Sequence, residues 1–233
     1  MRRVTMLAAS VVAVAAMSAA TAGAALANTQ PFYKVSGTAI KSGETKNFTA
    51  KGGESELYGK LGGIQVTIAC KTVTGSGTIG FEGSSTGTLD YDTCEIKEPT
   101  ALKADCGVDN IVFTFDDQLN YEVGTETFVD VFSPLSGKPF AEVTITNVKK
   151  CSLPEVTPIK GSIVAAISPQ NESTKVGTVD AKASSATTQE FKEYENAKGE
   201  KVDDVLEFGE ESSALNFSAE VTLEGEPEWE VTA

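Results

Sequence analysis

The sequence predicts an all-β fold, an antiparallel β-sandwich or barrel-like sandwich of more than ten short strands stapled by disulfides. Three observations carry this expectation. Apolar residues recur with period two along nearly the whole chain, and Gly, Ser, Pro and Asn break the runs at roughly ten-residue spacing. Four cysteines, Cys70, Cys94, Cys106 and Cys151, fall among those runs with no C-x-x-C pair.

Taken in chain order, YKVSGTAI (33–40), TKNFTAK (45–51) and SELYGKL (55–61) each alternate and end at a turn former. IQVTIAC (64–70) places Ile64, Val66, Ile68 and Cys70 on one face. GTIGF (77–81) and GTLDYD (87–92) are Thr/Gly-rich and read as one hairpin rather than a repeat. NIVFTFD, TFVDVF, AEVTIT, GSIVAAI and KVGTVDA continue the pattern from 110 to 181. One stretch tempts a helix, TTQEFKEYENAKG (187–199), with a Thr cap and Phe191 and Tyr194 at i, i+3. Because EKVDDVLEF returns as a strand and N-A-K-G suits a tight connection, a hairpin is expected over 187–208. LNFSAEVTLE (215–224) is the clearest strand, its Leu, Phe, Ala, Val and Leu alternating with polar residues. The terminal segments YKVSGTAI and EWEVTA are expected to pair with each other.

The opening MRRVTMLAASVVAVAAMSAATAGAALAN combines two arginines, an apolar run and the A-L-A ending accepted by signal peptidase. Residues 1–27 are therefore expected to be a cleaved signal peptide and 28–233 a single domain, with any sub-division near 152–160 in SLPEVTPIK. Both arginines and all three methionines lie in the leader. The remainder has no Arg, Met or His, and its 17 lysines against 33 acids give a net charge of −16. Such a chain repels nucleic acid and anionic membrane surfaces, so neither is an expected partner, and no membrane insertion is expected after cleavage. Without histidine, Ser/His/Asp and Cys/His catalysis, His-ligated zinc and imidazole pH switching are excluded.

On an exported chain the four cysteines read as two disulfides. Strand parity points Cys70 and Cys151 into the core and leaves Cys94 on the other face beside a loop that Cys106 closes. The pairing expected is Cys70 with Cys151 and Cys94 with Cys106. No cofactor and no metal are expected. Loop carboxylates such as Asp90/Asp92 or Asp116/Asp117 have the chemistry of calcium ligands, but 33 acids make close carboxylates common by chance. Asp203-Asp204 and Glu224, Glu226, Glu228 and Glu230 read as solvated faces for the same reason.

The order IACKTVTGSGTIG, LDYDTCEI, VTITNVKKCSL, KGSIVAAISPQN and LEFGEESSALNFSAEVTLEG resembles a group of secreted β-rich, disulfide-containing proteins of soil actinobacteria whose function is unknown. The resemblance implies export and the fold class and transfers no site residues. The expected role is that of a secreted or cell-surface β-domain, structural or binding and not enzymatic, with cell-wall polysaccharide or a surface protein as partner. The runner-up is an extracellular carbohydrate-binding module. For it Phe32, Tyr33, Tyr58, Tyr121, Tyr194 and above all Trp229 are the candidate stacking rings. A carboxylate-based glycoside hydrolase is the least favoured alternative, since it needs two carboxyls facing across a cleft.

Overall fold

The computed structural model describes residues 29–233 apart from Gly137 and Val148. The expected signal peptide, 1–27, lies outside the described residues. The chain opens with β1 (Phe32–Val35), β2 (Thr38–Ala39), β3 (Lys46–Gly52) and β4 (Ser55–Leu61), then the two longest strands, β5 (Ile64–Ile79) and β6 (Ser84–Glu98). A one-turn helix, α1 (Thr100–Lys103), leads to β7 (Gly107–Val108), β8 (Ile111–Glu122), β9 (Phe128–Pro134) and β10 (Ala141–Thr146). Next come β11 (Val156–Gly161), β12 (Ile163–Ser168) and β13 (Val176–Ala181). An excursion of short strands follows: β14 (Ala183–Ser185), β15 (Thr188–Gln189), β16 (Glu193–Glu195) and β17 (Lys201–Asp203). β18 (Leu206–Phe208), β19 (Glu211–Ser212), β20 (Ala214–Leu223) and β21 (Trp229–Thr232) complete the chain. The expected hairpin over 187–208 is present as β16 and β17, in register from Glu193 opposite Asp203 to Glu195 opposite Lys201.

Eight strands close into an antiparallel barrel in the order β8-β9-β12-β13-β20-β3-β5-β6, and the pairing of β6 with β8 returns the sheet to its start. A barrel of this size has room for side chains and little else, and alternation supplies them. Phe48, Val73, Leu89, Phe113, Phe115, Phe132, Phe217 and Val221 are all buried in the main core. Edge-on rings, Phe115 with Phe132 at 4.9 Å and Phe113 with Phe140 at 4.9 Å, add packing beyond their area. Glycine allows the wall to coil at one tight point. A Cβ on Gly77, which faces Gly87, would meet the Phe48 ring and the Thr86 carbonyl.

A second lobe grows from the same strands. The first half of β5 leaves β3 and pairs with β4, the end of β6 pairs with β7, and β20 begins against β4 before joining β13 and β3. The sheet continues through β10, β11 and β18 to β19 and curls back until Phe208 lies against Gly59. Residues 152–160 thus enter β11, held between β10 and β18.

The core faces reverse where β5 and β6 pass between lobes, and this corrects the expected disulfide pairing. The bonds are Cys70–Cys94 and Cys106–Cys151, not Cys70 with Cys151 and Cys94 with Cys106. In the barrel the inward residues are odd-numbered, Val73 opposite Tyr91 and Gly75 opposite Leu89. In the second lobe they are even-numbered, Ile68 opposite Ile96 and Cys70 opposite Cys94. Cys94 does lie on the parity opposite to Tyr91, but Cys70 makes the same reversal relative to Val73, so the two meet as a cross-strand pair. Cys151 escapes parity altogether because β10 ends at Thr146 and Asn147 takes a left-handed φ of 63°. Asn147 Nδ2 then donates to the Asp105 carbonyl at 3.1 Å, bringing the loop beside Cys106.

The terminal strands pair as expected, Phe32 opposite Thr232 through Val35 opposite Trp229. With β2 they form a separate three-stranded sheet. It is fastened along β21 by Trp229 N to Thr174 O (2.8 Å) and Val231 N to Pro169 O (3.0 Å). Among the described residues no helix is long and apolar enough to cross a membrane.

Candidate functional site

The wall formed by β6, β8 and β9 has chemistry on both faces, because alternation sends neighbouring residues in opposite directions. Inside, Ser85, Asp117 and Asp130 interrupt an apolar lining. Outside, Ser84, Asp116, Gln118, Asn120 and Ser133 form the floor of a groove of about 460 Å³. The acids Asp116 and Asp117 differ in exposure although both border the groove: Asp116 is exposed there, whereas Asp117 is 7 % exposed and also lines the barrel interior.

The 183–204 excursion makes the groove by lying over the outside of the barrel. Phe191 and Tyr194 pack on Val129, Val131 and Val164, the outward residues of β9 and β12. Tyr194 is also held by register, opposite Glu122 of β8. Asp204 fastens the return of the excursion, accepting from Ser162 Oγ at 2.7 Å and from the Val164 amide at 3.2 Å. Burial raises the Asp204 carboxyl to about 6 in spite of those two bonds. Tyr194, Asn196 and Val202 form the far wall of the groove.

The groove offers more acceptors than donors. Gln118 donates its Nε2 to the Glu82 carbonyl at 2.6 Å, and Asn120 donates its Nδ2 to the Gln118 carbonyl at 2.9 Å. Each amide nitrogen thereby spends one of its two N–H donors on the backbone, which orients the side chain and leaves its oxygen for a ligand. The Asp116 carboxylate makes no hydrogen bond or ion pair among the described residues. The Tyr194 hydroxyl is pushed up, first by burial and then by Asp204, so it remains a donor through the neutral range.

The barrel interior is a different environment. Its cavity has a volume of about 40 Å³, far below the roughly 300–1,000 Å³ of sites that take organic ligands. Tyr33 and Trp229, from the terminal sheet, reach into its lining with their rings 6.3 Å apart. Gly177 makes the space for the indole, since a Cβ there would strike its six-membered ring.

This placement overturns the expectation for Trp229, which is 2 % exposed and is a core residue of the barrel. Alternation along E-W-E-V-T placed it correctly on one face of a strand; what covers that face is a matter of tertiary packing. Tyr33 and Tyr121 are buried as well, and Phe32, Tyr58 and Tyr194 are half-buried. Among the described residues Phe81 is the only exposed aromatic, so they present no flat aromatic platform. Tyr194 alone among the candidate rings lies in a groove with polar company.

The calcium candidates do not assemble either: among the described residues no three acidic or cysteine side chains converge as a metal site requires. The groove itself was not legible beforehand, since Asp116, Gln118 and Asn120 share a face only as i, i+2, i+4 of one strand, a pattern found on any wet strand. In comparisons with protein-family models, with curated proteins and with solved structures, nothing matches this chain.

Proposed function

We propose that this chain is an exported, non-catalytic binding module that takes a neutral carbohydrate in the groove over β8 and β9. The observation that carries the reading is the set of acceptor oxygens on Asp116, Gln118 and Asn120, the two amides anchored through their nitrogens, facing a tyrosine ring across about 460 Å³. Vicinal sugar hydroxyls are donors that match planar carboxylate and amide oxygens, and a tyrosine edge adds an apolar contact and a donor. The overall charge disfavours phosphorylated or otherwise anionic ligands. Two disulfides accord with an oxidising, extracellular setting.

A hydrolytic role has less support. Of the two acids that border the groove only Asp116 is exposed, and the two are chain neighbours on one strand of its floor, so they do not face each other across it as glycoside hydrolysis requires.

Calorimetric titration of the 28–233 chain with neutral cell-wall polysaccharide fragments tests the reading. Binding is expected, weakened at least tenfold in the double variant Asp116→Ala/Gln118→Ala with the melting temperature unchanged. No binding to any glycan, or equal binding by the variant, defeats the proposal. Turnover of glycoside substrates defeats its non-catalytic part.

A further inference from the structure

The interior cavity carries an inference independent of the groove. Asp117 and Asp130 are 7 % and 3 % exposed and line the same small void. Register places them as diagonal neighbours on one inward face, Asp117 opposite Phe132 and Asp130 opposite Leu119. Ser85, opposite Asp117 on β6, donates its hydroxyl to Asp117 Oδ2. The other oxygen, Asp117 Oδ1, finds no partner among the protein atoms, nor do Asp130 Oδ1 and Trp229 Nε1.

No cation offsets the two acids. β3, β5, β12, β13 and β20 contribute only apolar side chains to the lining; the remaining polar groups there are Ser85, the Tyr33 hydroxyl of β1 and the indole of β21. Asp116, on the outer face of β8, adds a third negative charge through the wall. Two carboxylates in such surroundings cannot both be charged, and unpartnered buried polar atoms call for a bridging group. The void exceeds the roughly 10–15 Å³ that a water molecule needs.

We infer that the barrel encloses a proton-binding site, a carboxyl pair Asp117/Asp130 bridged by water to the Trp229 indole. Burial raises both acids, Asp117 to about 7 and Asp130 well above the ordinary range with the Asp117 charge adding to it. The folded protein therefore holds a proton that the unfolded chain releases above its ordinary carboxyl pKa. The site's contribution is whole in acid and is lost as pH rises through neutrality. Because Tyr33 and Trp229 belong to the sheet of the two terminal strands, ionisation puts charge directly beneath that sheet.

Trp229 is the sole tryptophan and reports on the cavity directly. Guanidinium unfolding followed by its fluorescence is expected to show the folding equilibrium constant falling tenfold or more per pH unit between about pH 5 and 7. The double variant Asp117→Asn/Asp130→Asn is expected to lose most of that dependence, while Asp116→Asn, which removes only the charge outside the wall, keeps most of it with its window moved toward lower pH. Asp204, also raised by burial, is present in every protein compared and cancels. If the double variant does not fold, proton uptake on refolding the Asp204→Asn variant at pH 6 decides, since Asp204 itself takes up a proton there: about one proton or more supports the site, and none overturns it. A pH dependence that survives in the double variant overturns it as well. Hydration is read separately, as a cross-relaxation peak between water and the Trp229 indole proton; its absence removes the bridging water.

Discussion

In the barrel, β8 pairs with β9 on one side and β6 on the other, so the sheet closes on itself and no cysteine lies within it. The second lobe stays open, ending at the two-residue edge strand β19, and it is there that the disulfides occur. One clamps β5 to β6 where they leave the barrel; the other joins the α1–β7 connection to the loop after β10. Backbone closure and covalent cross-linking thus divide the molecule between them. The barrel alone tolerates buried carboxyls deep inside, while the second lobe is packed from apolar residues such as Leu57, Ile68, Ile96, Val143, Ile159 and Phe208. A closed hydrogen-bonded wall can hold groups that are costly to bury; an open sheet needs both apolar packing and staples.

The sharpest way to break this division is at a residue deep in the continuous core that both lobes share. Phe113 touches Tyr91 at 5.1 Å and Phe140 at 4.9 Å. Phe113→Ala is expected to destabilise the whole protein by about 3–5 kcal/mol, with denaturation still a single transition. Two separate transitions would show that the lobes are energetically independent.

Removing the staples should act on one lobe first. The Cys106–Cys151 bond closes 45 residues and Cys70–Cys94 closes 24, which loop-closure entropy values at about 4 and 3.5 kcal/mol. In the Cys106→Ala/Cys151→Ala variant, hydrogen exchange should accelerate in β10, β11 and β18 before it does so in β8 and β9. Uniform acceleration would contradict the comparison.

A smaller effect distinguishes the barrel's outer fastening. Asp204 titrates at about 6 in the folded chain against an unfolded 3.8. Its contribution is complete below 3.8 and declines as pH rises through 6, a loss on the order of 3 kcal/mol. Asp204→Asn should flatten that part of the melting temperature's pH dependence. The smallest effect belongs to the terminal sheet, where Lys34 and Glu230 form a half-buried cross-strand pair at 3.3 Å. Lys34→Ala is expected to cost below about 1 kcal/mol, less in high salt; a larger loss in chemical denaturation would make this pair a true clasp of the termini.

Much of the strand content was legible because alternation is a local property. Leu215, Phe217, Ala219, Val221 and Leu223 all face inward as their spacing requires, and Asn196-Ala197-Lys198-Gly199 turns as its composition suggests, with Gly199 at a φ of 76°. The cysteine pairing was not legible, because parity along one strand is silent about a ribbon that serves two cores on opposite faces. Nor was the fate of Trp229: its neighbours Glu228 and Glu230 look like those of a surface ring, while the barrel end that receives it draws on strands as distant as that of Gly177, more than 50 positions away.

By itself the sequence determined the fold class, the positions of the turns, the pairing of the termini and the chemistry that a His-free acidic chain excludes. Those follow from side-chain period, backbone preference and charge, which act within a few residues or on the chain as a whole. Tertiary structure alone decided that the sheet closes, which cysteines meet, that Asp116 reaches solvent while Asp117 is enclosed with Asp130, and where a groove opens. Each of these depends on which distant strand lies alongside, and on which face of a strand becomes the inside.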